Sequence, residues 1–275
     1  MRFSIVTPSF GQSQWLRLCV ASVADQGVAH EHLVQDAGST DGTLDWLKTD
    51  PRVTAFVEPD AGMYDAINRG LRRATGDVLA YLNCDEQYLP GALAAVAAYF
   101  EAHPEVDVAF GYTLIVDEAG EFLCQRKTLT PLPWHTQVAH LTTLTAATFF
   151  RRRVFEAGHL FNTEYRCAGD AEWMLRLMHA GVKFGVIGCN TSVFTHTGGN
   201  LSRTARMKEE MQRLAAQAPA PARRLRWFVL LHHWLRRLAG GVYFQPSFTF
   251  AAYTLASPDR RVERHVARPT FWWKW

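Results

Sequence analysis

Residues 58–86 read EPDAGMYDAINRGLRRATGDVLAYLNCDE, and this stretch decides the fold class. Residues 63–74 predict a helix that ends at Gly76, because glycine is a common helix terminator. Residues 77–82 predict a buried strand, and polar residues follow it directly: Asn83, Asp85 and Glu86. A helix joined by a short turn to a buried strand is half of a βαβ unit.

The preceding residues repeat this alternation. Strands are predicted at residues 3–7, 32–35 and 53–57, and helices at residues 13–23 and 44–47. Such alternation predicts an α/β fold with a mainly parallel, Rossmann-like sheet flanked by helices. Ligands of open α/β sheets bind beyond the carboxyl ends of the strands. We therefore expect one edge of the sheet to collect Pro8, Asp36, Asp60 and Asp85.

The rest of the chain is less regular and suggests a division into parts. Residues 106–125 are rich in strand formers, residues 171–180 predict a helix, and the AAQAPAPA sequence at residues 215–222 predicts a linker. We expect one large domain over residues 1–214, with halves at 1–100 and 101–214. Residues 215–275 would form a basic, aromatic extension.

The composition excludes several classes of protein. Of the 275 residues 48% are hydrophobic and 20% are charged, which is typical of a soluble globular protein. The five cysteines contain no CxxC pair, which argues against a disulfide framework or a zinc knuckle. The apolar FSIV near the N-terminus is too short for a signal-peptide core, so a cytoplasmic protein is expected. No GxGxxG follows a strand, which disfavours NAD chemistry.

Charge is distributed unevenly. From residue 211 onward 11 Lys+Arg face two acidic residues, which leaves 18 basic and 24 acidic residues before it, so the net charge of +3 divides into −6 and +9. A basic segment of this kind suggests contact with an anionic surface.

The basic segment also contains an amphipathic helix, predicted over residues 223–238. One face carries only large apolar residues, namely Trp227, Phe228, Leu231, Trp234, Leu235 and Leu238. The opposite face carries Arg226, His232, His233, Arg236 and Arg237. The apolar run is shorter than the ~20 residues that span a bilayer, so the helix is expected to lie on a membrane, helped by the aromatic residues 271–275. The alternative is a helix that packs on the domain or on a second subunit.

Three acidic clusters are candidates for chemistry. Asp85 and Glu86, directly after a buried strand, offer oxygen ligands for a hard divalent cation, and a phosphate would complete the coordination shell of that ion. The alternative is a solvent-exposed acidic turn, which has the same sequence pattern. Asp36 follows the second strand and could accept hydrogen bonds from a nucleobase or ribose, or cap a turn. Asp170 and Glu172 begin a helix, where a carboxylate is either an N-cap or a general base.

His196 is a candidate third metal ligand or phosphate contact, in a loop of sequence THTGGN at residues 195–200. The alternative is a structural histidine near a strand end. Three consecutive arginines, Arg151, Arg152 and Arg153, include a candidate phosphate contact, the alternative being solvated side chains.

Four blocks in this order, SIVTPSFGQ, VQDAGSTDGT, residues 58–86 and AGDAEWMLRL, resemble the family 2 glycosyltransferases with the GT-A fold. The similarity covers about residues 3–200 and is strongest to the branch that assembles bacterial polysaccharides. It implies a nucleotide-binding half at 1–100 and an acceptor and catalytic half at 101–214. One departure concerns Thr145 and Ala146, where this branch often has His-Gln.

The resemblance also assigns expected roles to individual residues. It implies a nucleotide-sugar site formed by Thr7, Pro8, Asp36, Asp60, Asp65, Asn68 and Asn83. It implies an Mn²⁺ or Mg²⁺ ion with Asp85 as leading ligand, assisted by Glu86 and His196. Asp170 is the implied catalytic base, and Glu172 is the second candidate for that role.

The activity implied is inverting transfer of a sugar from a nucleotide-diphosphate donor, with UDP favoured, to a hydroxyl of a glycan or lipid-linked acceptor. The expected setting is cell-surface polysaccharide or glycolipid assembly at the inner face of the cell membrane, without a nucleic-acid partner. Two alternatives remain open. One is a sugar-1-phosphate nucleotidyltransferase, disfavoured because TPSFGQSQ is not the Gly-rich, Arg-bearing loop expected after the first strand. The other is a non-catalytic membrane-surface scaffold, which Asn83 and Glu86 leave possible.

Overall fold

The structure is a computed structural model that describes residues 1–198 and 204–272. Two predicted features extend beyond these residues. Part of the loop around His196, residues 199 and 200, and part of the terminal aromatic run, residues 273–275, lie outside the described ranges.

Strands and helices alternate in the first hundred residues, as predicted. Their bounds are β1 Phe3–Ser9, α1 Ser13–Ala24, β2 His30–Asp36, α2 Thr43–Leu47, β3 Thr54–Val57, α3 Met63–Arg73, β4 Val78–Tyr81, β5 Glu86–Tyr88 and α4 Ala92–Ala102. The predicted elements differ from these only at their ends, whereas β5 and α4 were not predicted.

The following part mixes strands with short helices. The bounds are β6 Val108–Val116, β7 Phe122–Arg126, α5 Pro133–Val138, a 3₁₀ turn at Thr145–Ala147, β8 Thr148–Arg151, α6 Arg152–Glu156, α7 Gly169–His179, β9 Phe184–Thr195 and α8 Ala205–Ala216. Helix α7 begins at Gly169 rather than at the predicted residue 171.

The α/β fold class is confirmed, and the sheet is mixed. Among the described residues the strand order is β3-β2-β1-β4-β8-β6-β9-β5, with β7 paired to β6. Strands β1 to β4 are parallel, whereas β8 lies antiparallel between β4 and β6. The parallel pairs β1–β2, β1–β4 and β2–β3 fall in the part with regular βαβ alternation, because a crossover helix returns the chain for a parallel pairing, and β6 also pairs in parallel with β9.

Two hydrophobic layers cover the faces of the sheet. On one face α3 and α7 contribute Ile67 and Trp173, and on the other α1 and α4 contribute Val23 and Phe100. Helix α3 packs closely on β1 at Gly70, where a Cβ would lie 2.4 Å from Cγ1 of Val6. These layers hold the carboxyl ends of β1, β2 and β4 at one edge, and Ser9 of β1 pairs with Asp36 of β2 there.

The predicted linker is wrong. Residues 215–222 contain the end of α8 and the start of helix α9, Ala220–Arg224, and Ala218 and Ala222 are buried. Alanine has a high helix propensity, and the short side chains fit against neighbouring helices. The chain therefore enters its extension through packed helices.

The extension continues as α10, Arg226–Ala239, and a hairpin of β10, Phe248–Thr254, and β11, Ser257–Val266. The hairpin was not predicted. It is attached to the main domain by a two-hydrogen-bond ion pair of Arg261 with Asp25, and by Gln87, whose amide bonds the backbone of Tyr253. The hairpin is thus part of the folded body of the protein.

Helix α10 packs through its polar side. His233 is only 5% exposed, whereas Trp227 is 83% and Phe228 68% exposed. His135 of α5 and His232 of α10 are joined by a ring-to-ring hydrogen bond of 3.0 Å. The predicted apolar face therefore exists, and it faces away from the domain. No described helix has the length and apolarity needed to cross a membrane.

Candidate active site

A cavity of about 870 Å³ lies at the carboxyl edge of the sheet, and we call it the edge cavity. The predicted site residues that line it are Pro8, Asp60, Asn83, Asp85, Glu86 and Asp170. They come from the ends of β1, β3 and β4 and from the start of α7. The topology thus brings together residues that are up to 162 positions apart between Pro8 and Asp170.

The turn after β4 presents Asp85 to the edge cavity. Burial raises the pKa of Asp85 to about 6. Beside it, Glu86 is buried, and its Oε2 accepts a hydrogen bond of 2.8 Å from the backbone N–H of Asn83. Burial, followed by the nearby Asp85 carboxylate, raises the pKa of Glu86 to about 8. Burial thus disfavours the charged form of both carboxyl groups, and more strongly that of Glu86.

The turn after β4 offers oxygen atoms that could bind a divalent cation. The buried Oδ1 of Asn83 and Oε1 of Glu86 have no hydrogen-bond partner among the described residues. Together with Asp85 they form an oxygen-only donor set, which suits Mg²⁺ or Mn²⁺. Within residues 1–198 and 204–272 no group of three or more His, Cys, Asp or Glu residues is arranged around a metal position. The turn therefore fits an ion whose remaining ligands come from a phosphate-bearing molecule.

On the opposite wall, Asp170 begins α7 with its carboxylate in the cavity. Its Oδ1 accepts a hydrogen bond of 2.8 Å from the N–H of Ala171, and the hydroxyl of Tyr64 lies 3.5 Å from the same oxygen. Burial raises the pKa of Asp170 to about 6. A carboxylate with a pKa near the working pH is suited to accept a proton.

The segment before α7 is held by a residue that the sequence did not suggest. Both carboxylate oxygens of Glu210 on α8 accept backbone hydrogen bonds, from Arg166, Cys167 and Ala168. Gly169 follows, and a Cβ there would lie 2.6 Å from the ring of Tyr64. Glu210 and Gly169 together set the position of Asp170.

Arg166 and Tyr64 are further cavity residues that sequence reasoning missed. The guanidinium of Arg166 lies against Gly62, and a Cβ at Gly62 would meet its Nη1 at 2.3 Å. The only sequence signal for Arg166 was its position shortly before the AGDAEW block at residues 168–173. Tyr64 lies within residues 58–86, the block that decides the fold class.

Three predicted nucleotide-binding residues use their side chains inside the protein. The hydroxyl of Thr7 pairs with His32 at 2.8 Å. The carboxylate of Asp36 accepts three hydrogen bonds from Gly38 and Ser39 of its own loop. Asn68 is bonded on both sides of its amide to the backbone of Phe161. None of the three lines the edge cavity, because each satisfies a local backbone or core partner instead.

Asp60 and Asp65 are linked through one loop. Asp60 lines the edge cavity, and its Oδ1 accepts a hydrogen bond from the N–H of Gly62. Asp65 lies outside the lining; it accepts from the N–H of Ala61 and pairs with Arg69 at 2.9 Å. Asp65 thus supports the loop that carries Asp60.

Glu172 and His196 are also placed outside the lining of the edge cavity. Glu172 forms an ion pair of 2.6 Å with Arg176 one turn along α7, which argues against a role as base. The backbone N–H of His196 bonds the carbonyl of Val116. The three arginines are structural as well, since Arg151 and Arg152 bond backbone carbonyls and Arg153 pairs with Asp107.

Similarity to known proteins agrees with this architecture. Residues 4–158 match the family Glycosyl transferase family 2. A PGL/p-HBAD biosynthesis glycosyltransferase of Mycobacterium bovis is 31% identical over 185 residues, covering 63% of this chain and 68% of the relative. The putative teichuronic acid biosynthesis glycosyltransferase TuaG of Bacillus subtilis is 36% identical over 91 residues, covering 31% and 36%.

Two solved structures share the fold at low sequence identity. S. aureus TarS 1-349 in complex with UDP-GlcNAc has a TM-score of 0.63 at 19% identity, with 88% of this chain and 75% of that chain covered. The mannosyltransferase PcManGT of Pyrobaculum calidifontis, in complex with GDP-Man and Mn²⁺, has a TM-score of 0.53 at 16% identity, covering 86% and 80%. Since the family match spans more than half of the 275 residues, the chain belongs to glycosyl transferase family 2 and is a glycosyltransferase with the GT-A fold.

Proposed function

We propose that this glycosyltransferase moves a sugar from a nucleotide-diphosphate donor, with UDP favoured, onto an acceptor hydroxyl with inversion at the anomeric carbon. The observation that carries the proposal is that Asp85 and Asp170 line one cavity from different walls. The reaction needs one group near the leaving diphosphate and one base near the attacking hydroxyl. A single in-line displacement then requires no enzyme nucleophile.

The nucleotide half, residues 1–100, would hold the donor. Pro8 and Asp60 line the edge cavity near the base and ribose positions that family resemblance implies. Arg166 lines the same cavity and forms no ion pair with any described carboxylate. Its guanidinium group is suited to bind a phosphate through two parallel hydrogen bonds. UDP is supported by TarS, which is described in complex with UDP-GlcNAc.

Asp85, with Asn83 beside it, would hold Mn²⁺ or Mg²⁺, and Glu86 would support the turn. A bound divalent ion supplies charge neutralisation on the leaving diphosphate. PcManGT, which has the same fold, is described with Mn²⁺. Asp170 would accept the proton of the acceptor hydroxyl, and residues 101–214 would form the acceptor and catalytic half.

The alternatives explain fewer features. A sugar-1-phosphate nucleotidyltransferase has no use for a base placed like Asp170, and the loop after β1 lacks the arginine such an enzyme needs. A non-catalytic scaffold would not need a carboxylate whose pKa burial has raised to about 6 within a cavity. The relatives named for glycolipid and teichuronic acid biosynthesis support a role in cell-surface glycan assembly.

The proposal is tested with a panel of nucleotide sugars, measuring hydrolysis and transfer with Mn²⁺, with Mg²⁺ and with EDTA. We expect at least one UDP-sugar to be turned over with a metal and EDTA to abolish the activity. Asp85→Asn should reproduce the EDTA result with metal present. Equal turnover with EDTA and with metal would contradict the role of the metal. The absence of turnover across the whole panel would contradict the transferase proposal.

We also propose that the apolar face of α10 docks on the inner, anionic surface of the cell membrane. Its exposed residues are Trp227, Phe228, Leu231, Trp234, Leu235 and Leu238. The charge of Arg223 and Arg224, just before α10, complements anionic lipid. The face is exposed because α10 packs on the domain through His232 and His233, which lie on its opposite side.

Vesicle flotation of the full chain tests this docking. The double variant Trp227→Ser, Leu231→Ser should partition at least about tenfold less onto phosphatidylglycerol vesicles, because two large apolar side chains no longer insert. The matched control is Leu255→Ser, which removes an exposed leucine of the hairpin turn. Equal flotation of the double variant and wild type, or self-association on this face without vesicle binding, would contradict membrane docking.

A further inference from the structure

A second cavity of about 540 Å³ lies between the acceptor half and the extension, and we call it the tail cavity. Its walls come from β7, from the loop before the 3₁₀ turn, and from α7, α8 and α10. Val242 and Phe271 of the extension complete it.

The tail cavity adjoins the edge cavity at the proposed base. Leu144, Asp170 and Met207 line both of them. A molecule in the tail cavity can therefore reach Asp170, whereas Asp85 lines only the edge cavity. This is where an acceptor must come from if its hydroxyl is to attack a donor held in the edge cavity.

The lining of the tail cavity is cationic. Arg126, Lys127 and Arg237 contribute positive charge, and Asp170 is the sole carboxylate among the described residues of the lining. The ammonium of Lys127 donates to the carbonyls of Gly241 and Phe244, which carry no charge. The guanidinium of Arg237 lies over the rings of Tyr243 and Phe271. These contacts orient the two cations without neutralising them.

A buried histidine adds an independent sign of a ligand. His233 lines the tail cavity and is 5% exposed, and neither of its ring nitrogens has a hydrogen-bond partner among the described residues. A buried polar group without a partner costs free energy. A ligand oxygen in this cavity would supply the missing partner.

We propose that the tail cavity binds the phosphate ester of a lipid-linked acceptor, through Arg126, Lys127, Arg237 and His233. Arginine and lysine together form the donor set suited to phosphate oxygens. Helix α10 lines this cavity and also carries the exposed apolar face, with Trp234 and Leu238 adjacent along the helix to His233 and Arg237. The phosphate would enter the cavity while the hydrocarbon chain stays at the membrane surface. The inference rests on the proposed transferase function and names its acceptor class.

The test is isothermal titration calorimetry of the full chain with geranyl phosphate, geraniol and inorganic phosphate, with saturating UDP and Mn²⁺ present to occupy the edge cavity. Wild type should bind geranyl phosphate at least about tenfold more tightly than either other probe. Arg237→Gln should weaken geranyl phosphate binding about tenfold, because one charge-assisted contact is lost. The matched control Arg226→Gln, on the same helix but outside the cavity lining, should leave it unchanged.

Three outcomes would overturn the inference. The first is that Arg237→Gln and Arg226→Gln bind geranyl phosphate with equal affinity. The second is that geraniol binds as tightly as geranyl phosphate. The third is that inorganic phosphate binds as tightly as geranyl phosphate, which would mean a site for a free anion. Arg237→Lys keeps the charge and should retain more affinity than Arg237→Gln, which separates charge from folding. UDP affinity, measured alone, reports on the donor site, so failure of the transferase proposal is seen separately.

Discussion

Helices α7 and α10 are both amphipathic, and they pack in opposite ways. Helix α7 buries its large apolar residues, with Trp173 between the rings of Phe150 and Phe161. Helix α10 buries His233 and leaves Trp227 and Trp234 in solvent. Both sequences carry an apolar stripe, and that of α10 is the more pronounced. Periodicity thus tells which residues share a face, and not which face the domain covers.

The difference matches the proposed roles of the two helices. Helix α7 must hold Asp170 still, and a rigid apolar face against the sheet does this. Helix α10 keeps its apolar face available and packs through polar contacts such as Arg236 to the carbonyl of Thr130. The following experiments separate these roles, from the largest expected effect to the smallest.

Removing the proton acceptor of α7 is expected to have the largest effect. Asp170→Asn should lower the rate of sugar transfer by about 10³, within the ~10²–10⁴ that general base catalysis contributes. Donor affinity should stay within about threefold by titration with the donor, since Asp170 is not assigned to donor binding.

Glu172→Gln, two residues along the same helix, is the matched control and should retain most of the activity. The Asp170→Asn protein should be at least as stable as wild type at pH 7, because burial raises the pKa of Asp170 and so disfavours its charged form. Undiminished transfer by Asp170→Asn would remove Asp170 as the base.

The packing difference predicts unequal losses of stability. Trp173→Ala should lower the free energy of unfolding by about 3–5 kcal/mol, because it leaves a cavity and frees the carbonyl of His159 that the indole N–H binds at 2.8 Å. Urea denaturation measures the change, and Trp173→Phe should lose less.

Trp227→Ala on α10 is the comparison and should change stability in solution by no more than about 0.5 kcal/mol. Trp227 is 83% exposed and supports no core contact. Similar losses for Trp173→Ala and Trp227→Ala would mean that α10 is packed by its apolar face in solution.

The smallest effect concerns pH. Asp170 acts as a base only when ionised, and burial raises its pKa to about 6. The rate of transfer should therefore be nearly constant above pH 7 and fall about tenfold per unit well below pH 6. A pH profile under single-turnover conditions measures this, and a rate that stays level down to pH 4.5 would contradict the assignment.

The first hundred residues show which parts of the site can be predicted from local sequence pattern. Pro8, Asp36, Asp60 and Asp85 were expected at one edge of the sheet, and all of them except Asp36 line one cavity. Thr7 and Asn68 were assigned by resemblance, and their side chains turn to His32 and to Phe161 instead. A motif position specifies the backbone location, whereas the direction of a side chain depends on partners distant in sequence.

Tertiary contacts decided the features that the sequence did not reveal. Glu210 lies 40 residues from Asp170 in sequence, and it carries no local signal, yet it holds the turn before α7. The hairpin β10–β11 was not predicted, and the residues that attach it to the main domain, Asp25 and Gln87, lie far from it in sequence.

The sequence by itself determined the α/β class, the family, the acidic turn at Asp85 and the amphipathic stripe of α10. These follow from local order, since propensity, periodicity and motif spacing act over a few residues. Only the tertiary structure decided which residues share a cavity with Asp170 and that α10 turns its apolar face outward. The reason is physical: burial and hydrogen-bond partners are supplied by segments far apart in the chain, and the free energy of the whole packing selects among local possibilities.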